Sequence, residues 1–370
     1  MKLKEKVFFH KPITTSREFF QSNQGIKCVH YGDVYKNYSG KTIRSSTIIN
    51  SFSNEVSKEK ILYCDSIIVP DVTETISDWG HFTYIKFDGT PYINGTHTIA
   101  LTSNSALELQ YLFRYLSSDL NRRRLQTLLN GSTVFQISIK NFSDFYLERY
   151  QTEIQEQRHI VDILGSIDEK IENNEQLINV FENLAAKKYL DFANKTSTKI
   201  RLEDVIELFD SKRIPLSSRE REQRKGIYPY YGATGVLDYV NGFLFSGEYV
   251  LFAEDGTVTD TNGHPIVQLV NGSFWVNNHA HILKGKNGWH DYTLYVALKQ
   301  INVDKAVTGA VQPKINQANL LSLEIPNLSN NNLQTINTEL DVVFHKVFHL
   351  RSENKSLQEL KGLYLKKFFE

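Results

Sequence analysis

Two histidine pairs in this chain have spacings that suit metal chemistry. His345 and His349 stand at i, i+4 in a helical stretch, the separation at which two imidazoles meet one zinc ion. No metalloprotease-type acidic residue and no third ligand accompany them, so the simpler expectation is two solvated helix positions. His279 and His281, within WVNNHAHIL (275–283), alternate on a strand and so are expected on one side of it. Hydrogen-bonding partners beside a binding face suit that pair better than a metal. Other reactive patterns fail. Gly40-Lys41-Thr42 imitates the end of a phosphate loop, but Tyr35 stands where the leading glycine is needed. No glycine-rich dinucleotide fingerprint opens a helix after a strand. The Asn/Asp-Pro-Pro-aromatic tetrad with which amino-methyltransferases hold a flipped base is missing. Pro70-Asp71 lacks, within about 30 residues, the acidic-x-Lys pair of a metal nuclease. The chain offers no catalytic constellation, no cofactor site and no metal set.

Its remaining chemistry is that of binding. Basic residues cluster at Arg122-Arg123-Arg124, at Lys212-Arg213 and at Arg219, Arg221, Arg224 and Lys225. The last group runs into Tyr228, Tyr230 and Tyr231 and the glycines 232 and 235. Lysine and arginine neutralise phosphates, while side chains on a rigid support reach base edges. The candidate DNA contacts are therefore Lys212, Arg213, Arg219, Lys225, Tyr230 and Tyr231, in and around what reads as a Gly-flanked loop, together with His279 and Lys314 further along the chain. Lys212 and Lys225 are expected on phosphates and Arg213 or Tyr231 on a base. The competing reading is a solvated surface above a tyrosine-rich core edge.

A repeat supplies the elements that would position these residues. Gly131, Ile137, Asn141, Phe142 and Phe145 recur as Gly309, Ile315, Asn319, Leu320 and Leu323, at an offset of 178. Further on, Ile160, Leu164, Ile167, Ile171, Phe181 and Phe192 recur as Ile336, Leu340, Val343, Val347, Leu357 and Phe368, at an offset of 176. The second sets advance by threes and fours, which is a heptad seam. The first rod continues through Asn174, Ile178, Ala185 and Lys188; the second includes Leu333, Leu350, Asn354, Lys361 and Tyr364. Thr152-x-x-Gln155 is a capping-box pattern that opens the first rod, about 40 residues or roughly 60 Å long. Asn174 and Asn354 occupy seam positions, where a polar residue fixes register or is merely tolerated at an edge. Ile160, Leu164, Ile167, Ile171, Asn174, Leu340, Val343, Val347, Asn354 and Leu357 are the candidate coiled-coil and partner-docking residues.

The organisation expected is a mixed domain over 1–150, a helix over 151–195, a glycine-punctuated β-rich domain over 196–328 and a final helix over 329–370. ILYCDSIIVP (61–70) and FLFSGEYVLFAEDG (243–256) read as corresponding strands, each preceded by an acidic residue, Asp65 or Glu248. Residues 111–129 read as one helix closed by Asn130-Gly131. With a whole domain between them, the rods can pair antiparallel within one chain; otherwise each dimerises with another molecule. Lys+Arg and Asp+Glu both total 42, which argues against a polybasic coat but permits local basic patches. Two cysteines, Cys28 and Cys64, fit a reducing compartment rather than a disulfide framework. No apolar run suits a leader or a spanning helix, so the expectation is a cytoplasmic protein without a membrane partner.

The order of parts, head–helix–head–helix, resembles the specificity subunit of type I restriction–modification systems. GSTVFQISIKNF (131–142) and GAVQPKINQANLLSLEIP (309–326) resemble that family's Gly-led segment leaving each head. EIQEQRHIVDILGSIDEKIENNEQLI (153–178) resembles its central helix, and YPYYGATG (228–235), VLFAEDG (250–256) and WVNNHAHIL its commonest head. The resemblance implies an α+β fold: two β-rich target-recognition domains, joined by two long helices packed as an antiparallel coiled coil in a pseudo-twofold repeat. It further implies double-stranded DNA as partner, one half-site per head, with two methyltransferase subunits and added restriction subunits. S-adenosylmethionine, ATP and magnesium would then belong to those partners, and this chain would be non-catalytic. Leu147-Glu148-Arg149-Tyr150 departs from the proline-containing exit usual after the first head, whereas Ile325-Pro326 keeps it. The other class left open is a coiled-coil interaction scaffold that binds no DNA.

Overall fold

The computed structural model describes residues 1–14, 20–21, 25–309 and 311–370. The chain divides into two compact units, Met1–Asn173 with Asn354–Glu370, and Asn174–Glu353. Both long helices, Ile154–Ala193 and Asn330–Phe369, contribute one segment to each unit.

In the first unit the apolar run before Pro70 forms the strand Ser66–Pro70, buried along its whole length. Burial on both faces explains why it reads as a continuous apolar run rather than an alternating one. It pairs with Thr98–Thr102 on one side and Thr83–Lys86 on the other; Phe8–His10 and Thr42–Arg44 complete the sheet. Asp65, just ahead of the strand, accepts from the Tyr84 hydroxyl (2.5 Å) and the Phe87 amide (2.8 Å). The helix expected over 111–129 is two helices, Ala106–Ser117 and Asp119–Gln126. Ser118 is extended between them, and its hydroxyl caps the second by accepting from the Asn121 amide. A serine that competes for the backbone is favoured at such a break. Against this layer pack Ile160, Leu164 and Phe369 of the long helices. Asp168 bonds Arg114 of the head helix and Lys361 of the C-terminal helix (2.7 Å). Burial pushes the Lys361 ammonium below its ordinary range, and Asp168 opposes that shift. Cys28 is buried, which pushes its thiol up to about 12 and leaves it unreactive; Cys64 is exposed, and both are free thiols.

In the second unit one sheet runs Ile206–Leu208, Ala280–Gly285, Tyr249–Ala253, Val267–Val270. A second runs Val236–Val240, Lys225–Tyr231, Ser273–Val276, Phe245–Ser246. The helix Asp291–Leu298, buried from Tyr292 onward, lies between the first sheet and the long-helix segments. Those segments run antiparallel here, as shown by Lys188–Glu339 (2.8 Å), Glu182–Arg351 (2.7 Å) and Asn174–Glu353 (2.7 Å).

The seam is drawn on correctly at first and then drifts. Ile160, Leu164, Ile167 and Asn174 are buried, but further along Tyr189 and Ala193 are buried where a strict heptad expects Lys188 and Phe192. A helix of 3.6 residues per turn slips about 20° per heptad against a 3.5 repeat, enough to bring the next residue round. Thr152 does not close the capping box. Ahead of the helix, the Gln151 side-chain oxygen instead closes a local turn by accepting from the Thr152 (2.8 Å) and Glu153 (3.0 Å) amides.

The repeat at offset 178 is structural. Gly131 and Gly309 both have φ in the left-handed region, +138° and +87°. A Cβ would lie 2.0 Å from the Val134 carbonyl oxygen in one and 2.3 Å from that of Gln312 in the other, so only glycine fits either turn. Asn130 then bridges Gln136, and Thr308 bridges Lys314, each through two backbone hydrogen bonds. Asn130-Gly131 is therefore the start of this turn rather than a helix cap. Ile137 and Ile315 enter the cores, and Ser138 and Asn316 cap short helices by accepting from Asn141 and Asn319.

Candidate nucleic-acid interface

The segment expected as a mobile loop, 225–235, is largely a strand, Lys225–Tyr231, in a hairpin with Val236–Val240. Its glycine serves a bulge: a Cβ on Gly226 would fall 2.4 Å from the Val240 carbonyl, where the register shifts between Lys225 and Tyr228. Tyr230 faces inward and is 1% exposed. Its hydroxyl accepts from the Leu216 amide (2.8 Å), and Arg221 stacks on its ring at 5.2 Å. Tyr231 packs edge-on against Phe274. Placed in the core, Tyr230 is not a surface donor.

Arg213 is also drawn inward. It donates to Glu254 Oε2 (2.7 Å), to the Ala280 carbonyl (2.9 Å) and to the Asp210 carbonyl (3.1 Å). Lys314 pairs with the other oxygen of Glu254 at 3.1 Å. His281, 1% exposed, sits with Nδ1 2.5 Å from Asp210 and Nε2 2.9 Å from the Ile315 carbonyl. Asp210, Glu254 and His281 lie close enough together to hold a metal ion. The donor set argues against one, because Arg213 and Lys314 already neutralise the two carboxylates and both imidazole nitrogens face acceptors. Burial works to raise the Asp210 and Glu254 carboxyls, but His281, Arg213 and, for Glu254, Lys314 hold both below the ordinary range.

His279 and His281 do not share a face. The strand begins at Ala280, so His279 lies in the turn before it, half-exposed, with Nδ1 2.6 Å from Asp255. The remaining candidates are on the surface. Lys225 pairs with Asp238 at 2.7 Å, Lys212 lies over the Phe209 ring at 4.8 Å, and Arg219 makes no ion pair among the described residues. Exposed Ile227, Leu237, Tyr239 and Phe243 accompany them on or beside the hairpin. His345 and His349 are exposed, and His345 bonds the Asp341 carbonyl, an ordinary helix position.

The partner-docking residues chosen from the seam are mostly occupied within the chain. Ile160, Leu164, Ile167, Asn174, Leu340, Val343, Val347 and Asn354 are buried, and Ile171 and Leu357 half-buried, because each segment faces its antiparallel partner and a head. The same helix instead exposes Leu177, Val180 and Leu184, at steps of three and four.

A correspondence between the heads escaped the sequence reading. Tyr92-Ile93-Asn94 ends a strand in a buried asparagine, and Trp275-Val276 ends another with buried Asn277 directly after it. The chain then turns out to His97 or His279 and re-enters a central strand. The carbonyl of His97 accepts from the Asp71 amide (3.1 Å), and that of His279 from the Glu254 amide (2.9 Å). The carbonyls of Asp71 and Glu254 in turn accept from Ile137 and Ile315, both at 2.9 Å. The aromatic–aliphatic–Asn triplet followed by histidine was the available signal, hidden by a one-residue difference in the turn.

Comparison with known proteins follows this duplication. The model of the type I restriction modification DNA specificity domain matches twice, over residues 16–183 and 194–360. A type I restriction enzyme specificity subunit of Haemophilus influenzae is 36% identical over 125 residues, covering 34% of this chain and 31% of that protein. A type I specificity subunit of Mycoplasma genitalium is 24% identical over 235 residues, 60% of this chain and 56% of that one. The chain thus spans less than two thirds of the curated relatives it matches. In fold it is similar to the crystal structure of the type I restriction-modification S subunit from M. genitalium, with TM-score 0.57 at 16% identity, over 100% of this chain and 95% of that one. An α+β chain of two β-rich heads and two long helices, matched twice along most of its length, this protein belongs to the type I restriction modification DNA specificity domain family.

Proposed function

We propose that this chain is the sequence-specific DNA-binding subunit of a type I restriction–modification complex, each head reading one half of a bipartite site. The observation that carries this reading is the structural repeat: two heads share an exit turn, a capped helix and a long-helix segment, yet differ in the strands and basic residues they display. Shared supports with divergent surfaces suit a molecule that holds two unlike readers. Lys212, Arg219, Lys225, His279 and Lys314, whose side chain is 46% exposed beside Glu254, remain the surface contacts proposed for the second head, and Arg213 becomes its internal strut. The chain contributes no catalytic group in this reading; methyl transfer, ATP hydrolysis and cleavage belong to methyltransferase and restriction partners with their S-adenosylmethionine, ATP and magnesium. Leu177, Val180 and Leu184 are proposed as the apolar stripe on which a methyltransferase subunit docks. No helix among the described residues is long and apolar enough to cross a membrane.

Methylation sequencing of a host with and without the gene, in the presence of its methyltransferase, tests the reading. A methylated split site that appears only with the gene supports it; methylation that is unchanged, or arises from the purified chain alone, overturns it. The scaffold alternative is disfavoured by one observation: the apolar seams are buried within the chain and are not free to join separate molecules.

A further inference from the structure

We infer that His97 and His279 are equivalent contacts to DNA backbone phosphates, one in each head, that position the heads without reading sequence. The inference rests on the DNA-binding reading above and adds to it a site that the repeat itself picks out. The two histidines occupy corresponding positions just ahead of a central strand, the carbonyl of each tied to the Asp71 or Glu254 amide and onward to Ile137 or Ile315, although only His97 takes a left-handed φ, +61°. Both rings turn Nδ1 to a carboxylate. His97 offers Nδ1 to Asp71 at 3.3 Å and His279 offers Nδ1 to Asp255 at 2.6 Å. Each side chain is about half exposed, 47% and 46%, while its carboxylate partner is 16% exposed. In both rings Nε2 has no partner among the described residues.

This arrangement is kept although the acid that makes it has moved. In the first head it is the residue whose amide bonds the histidine carbonyl; in the second it is the next one along, because Glu254 is committed to Arg213 and Lys314. Retaining the Nδ1–carboxylate contact and the half-exposed ring through a change of partner points to a use for that contact. An exposed polar ring adds little to a core, so its use lies outside the molecule. Two heads with different displayed surfaces meet different bases, and what both half-sites offer in common is the phosphate backbone. A ring whose Nδ1–H is held by a carboxylate presents Nε2 in a fixed direction, and the imidazolium then donates Nε2–H to a phosphate oxygen. The first ring is also held edge-on to Tyr31, at 5.6 Å, which limits its rotation. A protein-docking patch would instead be apolar at its centre.

The test uses the full chain assembled with its methyltransferase subunits. His97→Gln and His279→Gln, singly and together, are measured for DNA affinity against salt concentration on target and non-target duplexes. Each change is expected to lower the salt slope by about one and to weaken both duplexes by the same factor, with the methylated sequence unaltered. Scanning the target backbone with neutral methylphosphonates supplies a readout independent of the variants' stability: one position per half-site should weaken the wild type and leave the matching variant unaffected. An unchanged salt slope, relaxation at one base, or loss of subunit assembly with DNA binding intact would each overturn the inference. A wild-type complex that binds no specific DNA would overturn the functional reading itself, and so is distinguishable.

Discussion

Replacing Arg213 by alanine separates a structural role from a base-reading one. Its side chain is 15% exposed and lies among Glu254, 13% exposed, Asp210, 9% exposed, and the backbone carbonyls of Asp210, Asn278 and Ala280. Removing one partner of a buried ion pair costs about 3–5 kcal/mol, mostly because the other charge is left uncompensated. Here the loss is partly covered. Glu254 keeps Lys314 at 3.1 Å, and Asp210 keeps His281 and the Ile282 amide at 2.9 Å. The lower end, about 3 kcal/mol, is therefore expected, or roughly 6–12 °C in the melting of a unit of this size. Arg213→Lys should recover only part of it, since an ammonium has no planar fork to reach a carboxylate and a carbonyl together. The measurements are thermal melting of the purified chain and methylation profiling of the assembled complex. A base contact would behave in the opposite way, with stability unchanged and one base position relaxed at a cost of about 1–3 kcal/mol. An alanine variant that melts within about 2 °C of wild type yet relaxes one position would refute the strut assignment.

Other changes follow from the same geometry. Lys212→Ala, Arg219→Ala and Lys225→Ala should each weaken DNA binding evenly across sequences and lower the salt slope by about one, with melting nearly unchanged; salt titration of the complex checks this. Gly309→Ala and Gly131→Ala, each placing Cβ within 2.3 Å of a carbonyl at positive φ, should cost about 1–3 kcal/mol, read by urea unfolding. Because the folded-state values of Asp210 and Glu254 are depressed, their contribution is present above the unfolded carboxyl values of about 4 and is lost as pH falls through the folded ones. Melting should thus drop more steeply below about pH 4 in wild type than in Glu254→Gln. Val180→Asp should abolish capture of the methyltransferase subunit in a pull-down without lowering stability, since Val180 is exposed.

The parts of the fold encoded locally were readable, and those made by long-range pairing were not. The exit turns were legible because a left-handed glycine under a carbonyl tolerates no other residue, so the type survives in both copies. Both long helices were legible because an apolar stripe opposite charged residues admits few other structures. The strand Lys225–Tyr231 was misread because its glycine and proline have the composition of a loop; Gly226 answers to Val240 and Asn241, which only the hairpin brings near. Arg213 was misread for a related reason. Its partners lie 41 and 67 residues away, across strands whose register no local pattern reports. Basic residues beside tyrosines describe an interface and a cation-π-packed hairpin equally well, and Arg221 on Tyr230 is the latter.

The buried cluster in the second head also bears on how the heads diverge. In the first head, one acid, Asp71, joins the exit turn to the exposed histidine: its carbonyl takes Ile137, and its carboxylate takes His97. In the second, Glu254 and Asp255 divide those tasks. Glu254 faces inward to Arg213 and Lys314, and Asp255 outward to His279. Burial pushes the Asp71 carboxyl above its ordinary range, with His97 opposing, whereas the cations around Glu254 hold that group below it. Both histidines thus keep an Nδ1–carboxylate contact, while the acid bonded to the exit turn sits in opposite electrostatic surroundings in the two heads. A surface feature that persists through such a change is constrained from outside the fold, whereas the acids behind it answer to the neighbours each head happens to bury. The same reasoning sorts the basic residues: Arg213, enclosed by Asp210, Glu254 and the Ala280 carbonyl, belongs to the support, whereas the exposed Lys212 and Arg219 are proposed for the surface that distinguishes one head from the other.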